Sequence, residues 1–166
     1  MNDRQERKIN LLIVDDEVDF LAALGERLEM RDFHVRTATG GEEALALCQD
    51  EKFDLALLDL KMPGMNGQDL LARLKAAHRY LEVVILTGHG SLGSAVECAK
   101  LGAFSYLPKP YRLDELLKVL QDAYAERLRK KFAADAARTE AFLKIAQEES
   151  PRGALRRLKE MDDEER

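Results

Sequence analysis

The chain has 166 residues, 46% of them hydrophobic and 34% charged, which are values of a globular protein with a sizeable core rather than a disordered one. Its net charge of −5, from 26 Lys and Arg against 31 Asp and Glu, disfavours a dedicated nucleic-acid reader, which carries a basic excess or stripe. Met1 to Ile13 lacks the apolar core and small-residue cleavage site of a signal peptide, and no apolar run approaches the ~20 residues of a membrane span, so a cytoplasmic location is expected.

Strand and helix patterns alternate along the chain. Ile9-Asn10-Leu11-Leu12-Ile13-Val14 is short and almost wholly apolar, the pattern of a parallel strand buried on both faces, and it ends in Asp15-Asp16. Val18, Leu21, Ala22, Leu24, Leu28 and Met30 mark a helix, and His34 to Ala38 a short alternating strand. Gly40-Gly41 opens a helix with Ala44, Leu45, Leu47 and Cys48 inward. Leu55-Ala56-Leu57-Leu58 is the next apolar strand and ends in Asp59. Lys61 to Gly67 carries Pro-Gly and Asn-Gly turn signals, and Asn66 with Asp69 predicts an N-cap for a helix through Leu70, Leu71 and Leu74. Val83 to Leu86 ends in Thr87-Gly88, a helix follows from Ser91 to Leu101, and Phe104 to Leu107 ends in Pro108-Lys109-Pro110. A last helix begins near Leu113. Such alternation predicts an α/β fold with right-handed crossovers and a parallel sheet covered on both faces.

Ligand sites in open α/β sheets lie at the carboxyl ends of the strands, where Asp15, Asp16 and Asp59 sit. Two unit charges ~4 Å apart repel by about 1 kcal/mol in water and about 4 kcal/mol at an effective dielectric near 20, so three converging acids call for a cation or a raised pKa. A hard, oxygen-loving ion suits carboxylates. The hydroxyl of Thr87 and the ammonium of Lys109 arrive at the same edge. Taken singly, each group has an ordinary role: an acid capping a helix, an Asp beginning a turn, a Thr satisfying local backbone, a Lys in solvent. Those roles leave the shared edge unexplained.

These residues, in this order, resemble the receiver domain of bacterial two-component response regulators, over Leu11 to about Ala125. The stretch Leu86-Thr87-Gly88-His89-Gly90, with Ala95-Val96, Gly102-Ala103-Phe104 and Leu107-Pro108-Lys109-Pro110, looks most like receivers of sigma-54-dependent activators. The resemblance implies a doubly wound (βα)5 flavodoxin-like fold with sheet order 2-1-3-4-5, an order carried over with that fold rather than read from spacing. It implies that Asp59 is the phosphoacceptor, that Asp16 binds Mg²⁺ directly and Asp15 through water, and that the Lys61 backbone carbonyl completes the protein's ligands. Thr87 would contact the phosphoryl group, Lys109 would pair with it, and Tyr106 would change position when Thr87 moves. The donor would be a histidine kinase or phosphotransfer protein. The resemblance also raises the expectation of a cis Lys109-Pro110 bond.

Two other classes use similar parts. A haloacid-dehalogenase-like phosphatase has a strand-end Asp nucleophile, Mg²⁺, Thr and Lys, but its nucleophile follows the first strand with a second Asp two residues on, whereas Asp59 is followed by Leu60-Lys61. A phosphorylation-independent interaction module would not need the full set of acids, Thr and Lys.

The domain division expected is a receiver over 1–125 and a helical extension over 126–166 without a recognised output domain. Leu113, Leu117, Leu120, Tyr124 and Leu128 follow helical spacing, and Phe132, Phe142, Leu143 and Ile145 continue an interrupted stripe. Ser150-Pro151 predicts a break and a short helix through Leu155, Leu158 and Met161, before the acidic end Asp162-Asp163-Glu164-Glu165. The stripe suits a homodimer, a docked partner helix or folding back, a homodimer through the receiver face is the alternative, and no direct nucleic-acid or membrane contact is expected. Cys48 and Cys98 read as buried small hydrophobes, while His34, His78 and His89 form no recognisable metal cluster, with His89 a solvated loop residue near the site.

Overall fold

The computed structural model describes residues 7–148 and residue 153. The Ser150-Pro151 break, the short helix beyond it and the acidic end lie outside the described residues, and so does the side chain of Phe142. The elements in chain order are β1 (Ile9–Val14), α1 (Val18–Glu29), β2 (Phe33–Ala38), α2 (Gly41–Asp50), β3 (Leu55–Leu58), α3 (Gly67–Ala77), β4 (Glu82–Thr87), α4 (Leu92–Lys100), β5 (Ser105–Pro108) and α5 (Leu113–Glu148). The strands pair in parallel in the order β2-β1-β3-β4-β5, as the resemblance implies.

Side chains alternate across a strand, so each apolar run feeds two cores at once. Leu12, Val14, Ala56, Leu58, Val83 and Ile85 face one layer, against Leu70, Leu71 and Leu74 of α3 and Cys98 of α4. Leu11, Ile13, Leu55, Leu57, Val84 and Leu86 face the other, against Leu21, Leu24 and Leu28 of α1 and Leu116, Leu120 and Ala123 of α5. Both cysteines are buried and unbridged, and burial pushes their thiols up, away from the reactive thiolate. No helix among the described residues is long and apolar enough to cross a membrane.

Two helix faces differ from the periodicity. Val18 opens α1 and stands 63% exposed, Ala22 is exposed, and Met30 is already the C-cap, where helical spacing no longer aims a side chain. Among the described residues of α5 the fully buried ones are Leu116, Leu120 and Ala123, whereas Leu113 and Leu117 are partly buried. Leucines at 113, 116, 117 and 120 leave two overlapping stripes, and contact with the sheet selects one.

The chain divides into two compact units, Met1–Arg127 and Leu128–Arg166. In the first, Arg127 donates to the Tyr80 carbonyl at 2.6 Å and its Nε pairs with Asp54 at 3.0 Å. In the second, Phe132 and Leu143 of α5 stand in solvent.

Candidate functional site

Register brings the strand-end residues together. Val14 of β1 lies opposite Leu58 of β3, so Asp15 and Asp59 leave the sheet side by side. Backbone bonds carry the ladder one step further and hold both: the Asp59 amide donates to the Val14 carbonyl at 3.0 Å and the Asp15 amide to that of Ala38 at 3.1 Å. Thr87 ends β4 opposite Pro108 of β5, and the Lys109 amide donates to the Thr87 carbonyl at 2.9 Å. The Lys109–Pro110 peptide is cis. Below the cluster, Gly67 packs on the Asp59 carbonyl and the Leu60 Cα so closely that a Cβ would overlap them, which makes the turn after Asp59 a glycine position.

Carboxylate oxygens of Asp15, Asp16 and Asp59 all lie within 4.8 Å of one another. Asp15 is buried with a partner on each oxygen: Oδ1 accepts the Glu17 amide at 2.9 Å and Oδ2 accepts the Lys109 ammonium at 2.7 Å. Asp16 is exposed. Asp59 is 5% exposed, and its Oδ1 is buried without a hydrogen-bond partner. An unsatisfied buried acceptor of this kind costs about 1–3 kcal/mol, more when charged, and marks a place where a ligand belongs. The donor set is hard oxygen with one ammonium alongside, so the residues fit a small divalent cation such as Mg²⁺, which keeps waters and takes one or two carboxylates. Lys61, Pro63 and His89 line the cleft that opens onto Asp16 and Asp59.

A second cleft adjoins it, walled by Thr87, Gly90, Tyr106 and Lys109. Thr87 is buried and its Oγ1 accepts the His89 amide at 3.2 Å. The Tyr106 hydroxyl abuts Gly90, where a side chain would collide with it, and lies 3.3 Å from Ser94 Oγ. Ser94 also forms a capping box with Ser91 at the start of α4. Every sequence-predicted site residue thus falls at one edge of the sheet. His34 and His78 do not: His34 is exposed beside Glu29, and His78 is the C-cap of α3.

Sequence reasoning missed Phe20 and Ser94. The centre of the Phe20 ring lies 3.9 Å from Lys109 Nζ, and its signal was an aromatic in the first turn of the helix that follows Asp15-Asp16. For Ser94 the signal was its spacing of three from the N-cap Ser91.

Residues 11–121 match the response regulator receiver domain family. The chain is similar to the transcriptional regulatory protein GlrR of Escherichia coli (strain K12), 40% identical over 114 residues, which are 69% of this chain and 26% of that protein. It is also similar to sporulation initiation phosphotransferase F of Bacillus subtilis (strain 168), 36% identical over 106 residues, covering 64% of this chain and 86% of that protein. Among solved structures, a CheY-like response regulator receiver domain protein from Methanospirillum hungatei JF-1 aligns with a TM-score of 0.72 at 31% identity, over 74% of this chain and 98% of that one. The chain therefore spans about a quarter of the length of GlrR and nearly all of the shorter relatives.

Proposed function

This chain belongs to the response regulator receiver domain family, and from that premise we propose that it is a phosphorylation-activated switch of a two-component phosphorelay. Asp59 accepts a phosphoryl group from the phosphohistidine of a histidine kinase or phosphotransfer protein. The only chemistry the chain performs in this reading is phosphoryl transfer to its own Asp59 and later loss of that phosphoryl group to water. The observation that supports this reading is the orphaned Asp59 Oδ1, buried beside the Asp15–Lys109 pair.

The reaction is an in-line displacement: an Asp59 oxygen forms the new O–P bond as the N–P bond of the donor breaks and its electron pair leaves with the imidazole. Most of the catalysis in such a transfer is positioning and neutralisation of charge. Asp15, Asp16, Asp59 and the Lys61 carbonyl would hold Mg²⁺, which when bound supplies positive charge to the transferring oxygens. Lys109 contributes a compact second charge by moving from Asp15 Oδ2 to a phosphoryl oxygen. Thr87 already uses its oxygen to accept the His89 amide, which leaves its hydroxyl proton for the phosphoryl group. The product carries about −1.5 to −2 charge beside existing acids, so the conformation that best neutralises it is favoured. Movement of Thr87 opens the cleft it shares with Tyr106, and Tyr106 passes the change to α4 through Ser94.

For the extension we propose self-association through α5, on which Phe132 and Leu143 stand exposed three turns apart on one side. Light scattering with and without beryllofluoride, an aspartyl-phosphate mimic, tests it; a monomer in every condition overturns it. The switch itself is tested by incubating the chain with acetyl phosphate, with and without Mg²⁺, and measuring intact mass. A Mg²⁺-dependent phosphoryl adduct mapped to Asp59 is expected, and no adduct, or one elsewhere, overturns the assignment.

A further inference from the structure

Lys109 has a neighbour besides Asp15. Its ammonium sits 3.9 Å from the centroid of the Phe20 ring while donating to Asp15 Oδ2 at 2.7 Å. Phe20 belongs to the first turn and a half of α1, is half-buried, and packs against the apolar layer beneath. Leu24 and Tyr111 complete a small recess beside it. Burial pushes the Tyr111 hydroxyl up from its ordinary value, against a lowering by Lys109 and Arg27, so that side chain stays neutral here. The ammonium is thus held by one carboxylate and one neutral ring face.

The two contacts behave differently when a phosphoryl group arrives. The Asp15 contact competes for the ammonium, since a carboxylate and a phosphoryl oxygen both want it. A ring face attracts a cation through its quadrupole without taking a hydrogen bond, so it can persist while the ammonium changes partner. Lysine also needs such a guide, because four flexible methylenes give its charge many other places to go.

We propose that Phe20 is a positioning residue for phosphorylation of Asp59: its ring keeps the Lys109 ammonium at the acidic cluster while that ammonium passes from Asp15 to the incoming phosphoryl oxygen. The inference rests on the reading of Asp59 as acceptor and Lys109 as counter-charge. A leucine at position 20 fills much of the same space but carries no quadrupole, whereas tyrosine keeps it. That contrast separates guidance of Lys109 from simple packing.

The experiment uses the full chain, acetyl phosphate and Mg²⁺, with the rate of Asp59 phosphorylation followed by intact mass. The unsubstituted chain comes first: absence of labelling there defeats the acceptor reading itself, apart from anything Phe20 does. With labelling established, Phe20→Leu should be slower by roughly threefold and Phe20→Tyr should match the unsubstituted chain. In parallel, NMR of the Lys109 side chain should show ring-current-shifted ε-methylene protons in the unsubstituted and Phe20→Tyr proteins, and loss of that shift in Phe20→Leu. Phe20→Met serves the same purpose if the leucine variant does not fold. An aliphatic variant that labels at the unsubstituted rate, or a Phe20→Tyr variant as slow as the aliphatic one, overturns the proposal.

Discussion

Strand β3 has an aspartate immediately before it and another immediately after, and the molecule treats them in opposite ways. Asp54 and Asp59 are nearly equally buried, at 8% and 5% exposure. Asp54 is saturated: its Oδ2 accepts the Asn10 amide at 2.9 Å and its Oδ1 pairs with Arg127 Nε at 3.0 Å. Arg127 is held in turn by the Tyr80 carbonyl at 2.6 Å. Asp59 has an oxygen with nothing on it and two further carboxylates for neighbours. A buried charge that is paired and hydrogen-bonded is neutral bookkeeping for the fold, and one left open is a standing cost. The same residue type flanking one strand is therefore paired at the amino end and left with an open oxygen at the carboxyl end.

The comparison breaks most sharply at Asp59. Asp59→Asn should abolish phosphoryl labelling while leaving stability at or above that of the unsubstituted chain, because a negative charge leaves a crowded acidic cluster. Intact mass and a denaturant titration check the two halves, and a large loss of stability would mean that Asp59 is structural after all. Asp54 should do the reverse. Asp54→Ala strands the Arg127 guanidinium at a largely buried position and should cost about 3–5 kcal/mol in the same titration, with labelling retained wherever the protein is still folded.

Mg²⁺ sharpens the contrast. At a hundred times its dissociation constant a ligand that binds only the folded state adds about 2.7 kcal/mol, so thermal melts in saturating Mg²⁺ should shift upward in the unsubstituted chain and in Asp54→Ala. Asp16→Ala, an exposed position, should lose that shift without loss of fold. An equal shift in Asp16→Ala would remove that residue from the ligand set. The smallest effect is expected where the carboxyl end meets α4. Ser94→Ala takes one partner from the Tyr106 hydroxyl and should lower stability by about 1 kcal/mol. Amide NMR should then show α4 and Tyr106 exchanging between conformations before any phosphate is added, and unchanged spectra would place the Tyr106–Ser94 contact outside the signalling route.

Much of the carboxyl end was legible beforehand, and little of the amino end. Asp15, Asp16, Asp59, Thr87 and Lys109 lie at or just past the carboxyl ends of four strands, and a parallel sheet sends all its strand ends to one edge, so convergence follows from local pattern and topology. Asn66 was equally readable, because an N-cap bond spans three residues: its side chain accepts the Asp69 amide at 2.9 Å. Asp54 and Arg127 are 73 positions apart on elements whose periodicity says nothing about each other. Along the sequence Arg127 is one basic residue among the neighbours Arg129, Lys130 and Lys131, and only the packing of α5 turns it into the partner of a buried acid.

The same distinction runs through the rest of the chain. The succession of strands and helices, the two-faced burial of β1, β3 and β4, and the residue types at the strand ends are properties of short segments, where alternation, capping and turn chemistry act within a few residues. Tertiary structure decided which of the crowded leucines in α5 go inward, that Lys109 rests between Asp15 and the Phe20 ring, and that Tyr106 reaches Ser94. It also decided which of two buried aspartates is left wanting a partner. Those outcomes depend on packing and on charges brought together from distant parts of the chain, and such encounters have no signature in the spacing of residues along it.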